Sequence, residues 1–351
     1  MLSTKSNTKK IGAAIIVIIV LIAIAGAYIY LTRPTEQGER KQLIVSTTTS
    51  LYETGFLDIL KATFEKEYPN INVSFISQGT GLAIETAKRG DADMILVHDP
   101  ARELQFLKDG VGVNRKILAY NFFVIVGPAD DPASIKGLDP LSAMQQIKEG
   151  NASWISRGDG SGTHSKEGRL WKTAGYNMTL LRDEAWYFEA GSGMTATLKM
   201  ADEKQAYTIT DLGSYLMNYN NGNIKLVVLV EGGYDLLNVY SAIACDPRNN
   251  NTNKANFEAS MTFIRFMASD QGQKMFDDFG VSDYGQSLFK PAIKLLKDEP
   301  DSQMAQWIKK YAIDPFGDTE CPPEYRYQEG DLYMMALPLT MVRLVTVLTK
   351  P

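Results

Sequence analysis

The chain has 351 residues, which leaves room for two lobes with sizeable cores beyond a first stretch of ~40. Apolar residues at 44% and charged residues at 22% are ordinary globular values and exclude a disordered chain. Residues 1–40 hold five Lys/Arg and two Asp/Glu, so the formal charge of −5 leaves 31 basic against 39 acidic side chains (−8) beyond them; that balance excludes a nucleic-acid binder.

Residues 11–31 carry no charge and are almost all apolar. That is about 20 residues, the length of a membrane-spanning helix. Lys5, Lys9 and Lys10 precede the run and stay cytoplasmic by the positive-inside rule, which puts everything after Thr32 outside. A cleaved signal peptide is the rival. The run is long for one, AGAYIYLT is a poor cleavage context, and no nearby Cys accepts a lipid. The expectation is a cytoplasmic stretch at 1–10, an uncleaved single-pass anchor in the cell membrane at 11–31, and a polar tether at 32–41.

From residue 41 the pattern alternates. KQLIVS reads as a strand and runs into STTTS. FLDILKATFEKEY sets Phe56, Leu57, Leu60 and Phe64 on one helical face and stops at Pro69. INVSFIS is a strand, GTGLAIETAKRG a helix closed at Gly90, DADMILVHD a short buried strand, and ARELQFLKDG a helix. YNFFVIVG is a strand leading into a loop, 138–149 a helix, WISRGDG a strand and turn, and HSKEGRLWKTAGY a helix. MTATLKMADEK (helix), QAYTITD (strand), IKLVVLVEG and VYSAIAC (239–245) continue the pattern, and KANFEASMTFIRFMASDQGQKMFDDFG reads as one long helix. This alternation predicts an α/β fold with helices on both faces of its sheet. It is arranged as two lobes with a ligand cleft between them: lobe I from 42–125 and 240–295, lobe II from 126–239, with the chain crossing near 124–128 and 236–242.

Residues 296–351 stand apart as a C-terminal extension with no assignable role. DSQMAQWIKKYAI reads as a surface helix. The run 332–348 is apolar but short, and Pro338 and Arg343 interrupt it, so packing on the main body is expected rather than a second membrane span. The two cysteines, Cys245 and Cys321, are compatible with one disulfide or with two separate small side chains. Four N-x-S/T sequons start at Asn72, Asn151, Asn177 and Asn250.

Four stretches are alike: STTTSLYETG (46–55), SQGTGLAIE (77–85), SRGDGSGTHSKE (156–167) and AGSGMTATLK (190–199). Each is rich in Gly, Ser and Thr and opens a helix. A helix N-terminus has N–H groups without acceptors and a partial positive charge; Ser and Thr add donors, and Gly lets the backbone come close. Each loop alone is also an ordinary N-cap. Four together suggest one small tetrahedral oxyanion. Arg157 follows the strand WIS and precedes a Gly-rich turn, where its guanidinium can donate two parallel bonds to a dianion, with Asp159 as an orienting or competing partner. His164 beside Ser161 and Ser165 raises an alternative, an external phosphate-ester hydrolase, but no G-x-S-x-G elbow accompanies it. A phosphate loop with its Lys is absent, and the Cys and His positions offer no metal cluster.

STTTSLYETGFLD, the GTG helix start, GDADMILVHDP, YNFFVIVGPADDPA, SRGDGSGTHSKEGRLW and AYTITDLGSYL together resemble the tungstate-binding proteins of ABC transporters, over roughly residues 41–295. TTTS and SRGDxSGTH are specific to that group. The resemblance implies the type II periplasmic-binding-protein fold and no enzymatic activity. It implies oxyanion contacts from Thr47, Thr48, Thr49, Ser50, Thr80, Arg157, Ser161 and Thr163. The implied ligand is tungstate, with molybdate or another tetrahedral oxyanion as the alternative, and no cofactor. The implied partners are the permease and ATPase of an ABC transporter, and a monomer is expected. SGMTATL departs from the family in the fourth loop, which leaves Ser192 and Gly193 open. The shell read this way contains only donors, which suits an unprotonated dianion.

Overall fold

The computed structural model describes residues 40–328 and residue 332. The expected anchor at 11–31 and nearly all of the apolar run at 332–348 lie outside the described residues. Among the described residues, no helix is long and apolar enough to cross a membrane.

The elements run β1 (Lys41–Thr48), α1 (Thr49–Glu53), α2 (Phe56–Glu67), β2 (Ile71–Gln78), α3 (Thr80–Lys88), β3 (Met94–Val97), α4 (Pro100–Lys108) and β4 (Gly112–Gly127). Then come α5 (Pro140–Glu149), β5 (Trp154–Ser156), α6 (Gly162–Thr173), α7 (Met178–Leu181), β6 (Tyr187–Glu189), α8 (Met194–Glu203), β7 (Thr208–Asp211), α9 (Leu212–Asn220) and β8 (Val227–Glu231). β9 (Leu237–Cys245), α10 (Phe257–Ala268), α11 (Asp270–Asp278), α12 (Val281–Tyr284), β10 (Lys290–Pro291), α13 (Ile293–Asp298) and α14 (Gln303–Ala312) complete the order.

The sheet order is β10-β4-β9-β3-β1-β2, with β7 and β8 also on β4. β1 lies parallel to β2 and β3, while β9 runs antiparallel to β3 and β4. β4 is the long member. Through Phe122 it pairs with β9, and from Phe123 onward with β7 and β8. It thus joins two α/β halves, and the chain returns between Glu231 and Leu237. In the first half the predicted face of α2 is wholly buried: Phe56, Leu57, Leu60 and Phe64 are each at most 1% exposed. They pack on Phe263, Phe266, Phe276 and Phe289. The second half closes on Trp154, Trp171, Trp186 and Ile209.

Two expectations change. The long helix from 257 is broken at Ser269, whose extended backbone ends α10 and whose hydroxyl caps α11. The break lets α11 turn back tightly, because a Cβ on Gly272 would stand 2.2 Å from Phe266 O. The helix at 303–312 is not a surface appendage: Ala305, Ile308 and Ala312 pack with Ile117, Leu237 and Val239. Cys245 Sγ donates to Ala92 O and Cys321 Sγ lies on Tyr325 O, rather than the two sulfurs meeting each other.

The strand that carries Arg157 is held from below by one buried carboxylate. Glu167 accepts from Trp154 Nε1 (2.9 Å), Tyr187 OH (2.7 Å), Ser156 Oγ (2.8 Å) and Trp171 Nε1 (3.3 Å). Burial raises its pKa, with the four donors opposing. A raised folded-state pKa means stability is fully present below the unfolded value and declines as pH climbs through the folded one. Glu167→Gln keeps three acceptor contacts at one oxygen and can donate to Ser156, so it should stay closest to the parent at the acid end of the range and lose the parent's decline as pH rises. Glu167→Leu strands four donors at about 1–3 kcal/mol each and should lower stability by several kcal/mol. Urea unfolding of both variants at pH 5 and pH 8 measures the difference, and equal losses would refute this role.

Candidate functional site

Three of the four Gly/Ser/Thr loops meet. Thr48 ends β1 and caps α1: its Oγ1 accepts from Leu51 N at 3.4 Å and lies 3.5 Å from Ser50 Oγ. Gly79 caps α3 without a side-chain bond, which leaves the first N–H groups of that helix clear. Ser161 caps α6, its Oγ accepting from His164 N at 3.2 Å. All but Thr49 among the eight residues read from sequence are buried.

Arg157 joins the loops across the two halves. It is 2% exposed; its Nε donates to Asp159 Oδ2 at 2.8 Å and its Nη2 to Thr49 Oγ1 at 2.6 Å. Asp159 Oδ1 accepts from Ser161 N at 3.0 Å, so both its oxygens are engaged within the loop. Gly158 (φ +65°) and Gly160 (φ +71°) let the turn adopt left-handed backbone. The GTG and SGT turns touch directly: a Cβ on Gly162 would stand 2.9 Å from Thr80 Oγ1 and 2.9 Å from His98 Cε1. Thr80 Oγ1, Thr163 Oγ1 and His164 Nε2 are buried and have no hydrogen-bond partner among the described residues. Three such atoms in one cluster are unusual in a folded protein, where buried polar groups are almost always satisfied. Thr47 differs, because its hydroxyl donates to Leu96 O at 2.8 Å and anchors the strand.

The fourth loop does not join the cluster. Ser192 is exposed, and the start of α8 faces a carboxylate from the first half. Glu53 Oε2 accepts from Thr195 Oγ1 at 3.4 Å, and a Cβ on Gly193 would stand 3.6 Å from Glu53 Oε1. A carboxylate at a helix N-terminus meets the dipole that the loop would otherwise offer an anion. Burial raises the Glu53 pKa, and the Arg157 charge opposes that rise.

The Ser–His pair is not made. His164 Nδ1 accepts from Gly160 N at 2.9 Å, and Ser161 Oγ takes the His164 backbone N–H rather than its ring. No serine hydroxyl bonds an imidazole among the described residues, and burial lowers the His164 pKa. His164 therefore ties down the loop instead of activating a nucleophile.

Sequence reasoning missed His98, which follows β3 where loops at strand ends face a cleft. Its tautomer is fixed by a buried relay. Asn121 Nδ2 donates to Leu288 O, Asn238 Nδ2 donates to Asn121 Oδ1 at 2.9 Å, and Asn238 Oδ1 accepts from His98 Nδ1 at 2.8 Å. Burial lowers the His98 pKa, so the neutral ring turns its Nε2 lone pair toward Gly162. The surroundings of the cluster are therefore not purely donors.

The chain has known relatives. Residues 33–271 match the family model described as a PBP superfamily domain. The tungstate-binding protein TupA of Peptoclostridium acidaminophilum is 39% identical over 252 residues, covering 71% of this chain and 85% of that relative. The solved structure of the tungstate-binding protein TupA from Desulfovibrio alaskensis G20 is 40% identical with a TM-score of 0.62, covering 72% of this chain and 98% of that one. The tungstate ABC transporter structure from Geobacter sulfurreducens is 39% identical with a TM-score of 0.60, covering 69% and 98%. A mixed α/β fold whose helix N-termini gather around one buried arginine, matched along two thirds of its length by these proteins, belongs to the PBP superfamily.

Proposed function

We propose that this chain is the extracytoplasmic binding component of an ABC transporter, that it captures tungstate, and that it hands the anion to the permease and its ATPase. The observation that carries this reading is the cluster itself. A guanidinium from one half reaches a threonine hydroxyl of the other, beside two buried hydroxyls that bond to nothing among the described residues. Full-length relatives that are tungstate-binding proteins support it. Thr48, Thr49, Ser50, Thr80, Arg157, Ser161 and Thr163 form the shell, with Thr47 as its strand anchor. The halves close by a hinge where β4 and β9 cross between them. Residues 11–31 hold the protein at the membrane as a monomer.

The chemistry favours an unprotonated dianion. Tungstate oxygens only accept hydrogen bonds at neutral pH, and both Asp159 oxygens, which would welcome a phosphate proton, already accept from Arg157 Nε and Ser161 N within the loop. Nanomolar affinity needs about 12 kcal/mol, or roughly five or more charge-assisted bonds at about 1.5–3 kcal/mol each. Calorimetry with tungstate, molybdate, sulfate and phosphate tests the reading. Tungstate is expected to bind far below micromolar, sulfate and phosphate at least a hundredfold more weakly (roughly 2.7 kcal/mol). Tungstate binding at micromolar or weaker would reject it.

A further inference from the structure

A second cavity, of about 310 Å³, shares no residue with the oxyanion cluster. Its walls come from α4 (Pro100, Ala101), from α6 (Lys166, Arg169), from the crossing segment (Tyr234) and from the C-terminal extension (Tyr311). Of these walls only Tyr311 lies beyond residues 33–271, the stretch that matches the family model.

Two cationic groups in its wall have unfilled donors. Lys166 is 3% exposed and donates to one acceptor, Leu237 O at 2.8 Å. Its Nζ lies 4.6 Å from the Tyr311 ring centroid and 5.7 Å from that of Phe123. Among the described residues, no carboxylate stands within ion-pair distance of it. An ammonium has three protons to place, and burying one without a counter-charge is costly. Burial, with Arg169 nearby, pushes the Lys166 pKa well down, while Asp235 and Asp99 act against this. Arg169 sits one turn on, at i+3, on the same helix face. Its Nη1 and Nη2 bond Asp99 and Tyr311 OH, but its Nε is buried and bonds nothing. The rest of the wall mixes an aromatic side, where Tyr234 and Tyr311 meet edge to face with centroids 6.3 Å apart, with a third cation, Lys310, and one carboxylate, Asp235.

We infer that this cavity is a second ligand site, for a small organic carboxylate. The carboxylate lies on Lys166 and on the Nε side of Arg169, and it gives Lys166 a carboxylate at ion-pair distance, which it lacks among the described residues. A flat body lies along the Tyr234 and Tyr311 rings. An inorganic oxyanion would meet the same two cations but leave the aromatic wall uncovered, which is why an organic anion fits better. The inference stands whether or not the oxyanion reading holds.

Calorimetry on the full chain with benzoate, and separately with inorganic phosphate, tests it. Benzoate should bind saturably with a dissociation constant under about 1 mM, equivalent to roughly 4 kcal/mol. Binding should weaken at least about tenfold in Lys166→Met and in Ala101→Trp, which fills the cavity from an exposed position. If Lys166→Met does not fold, Ala101→Trp alone decides. No saturable benzoate binding, or equal affinity in the folded variants, overturns the site. Phosphate binding as tight as benzoate, with the same loss on substitution, overturns the organic class.

Discussion

Arg157→Ala is expected to weaken tungstate binding by about two to four orders of magnitude, from the loss of two charge-assisted bonds at about 1.5–3 kcal/mol each. The guanidinium is the buried charge-bearing donor of the cluster, whereas Arg102, which donates to Gly160 O at 2.6 Å, is partly exposed; Arg157 is also already oriented. Asp159 holds its Nε, and Thr49 takes one proton of Nη2. That leaves Nη1 and the second Nη2 proton for an oxyanion, without reorganisation on binding. The arginine and Asp159 cancel in charge, so a bound dianion depends on the guanidinium's direction and on the N-termini of α3 and α6 rather than on a net positive field. Arg157→Lys keeps the charge but not the planar fork, so it should recover only part of the loss. The fold should persist, because Asp159 is partly exposed (17%) and water can solvate it once its partner is gone. Calorimetry paired with circular dichroism separates affinity from folding. A variant that is folded and within about threefold of the parent affinity would remove Arg157 from the shell.

How the cluster forms was legible because its parts are local. A loop of Ser, Thr and Gly before an apolar helix marks an N-terminus in the sequence itself, and Arg157 stands out as a charge beside a buried strand. What α8 faces was not legible. AGSGMTATLK has the composition of the other three loops, and only the pairing of the two halves brings Glu53 against Gly193. His98 was hidden for a similar reason: its partner Asn238 lies 140 positions away, and the relay through Asn121 ends on a backbone carbonyl. The first part of β4 was missed because Asn114, Arg115 and Lys116 break an apolar pattern in the middle of a strand. Periodicity assumes that buried positions are apolar, and these three are buried for a different reason.

That reason gives the second large effect: Glu320→Ala should lower stability by about 3–5 kcal/mol, although Glu320 lies far from the ligand cluster in sequence. Bulges in β4 turn Asn114, Arg115 and Lys116 toward the extension. Asn114 exchanges two hydrogen bonds with the Tyr327 backbone. Arg115, fully buried, pairs with Glu103 at 2.8 Å, donates to Ala312 O and Glu320 O at 2.9 Å each, and stacks 3.8 Å over the Phe316 ring. Glu320 closes the arrangement, with Oε1 on Lys116 Nζ at 2.5 Å and Oε2 on Ile117 N at 3.1 Å. Removing that carboxylate takes one partner from a buried ammonium, which also donates to Leu332 O, and the acceptor from a buried strand N–H, and buried groups stripped of one partner cost more than the pair contributes. Glu320→Gln keeps an acceptor for Ile117 N and should lose about half as much. In a domain of this size the alanine variant should melt roughly 10 °C or more below the parent. Ending the chain before α14 should prevent folding, because Ile117, Leu237 and Val239 would also lose the apolar cover of Ala305, Ile308 and Ala312. The residues that make β4 unreadable as a strand are thus those that need the extension. If Glu320→Ala melted within about 2 °C of the parent, the extension would be an accessory to the fold and not part of it.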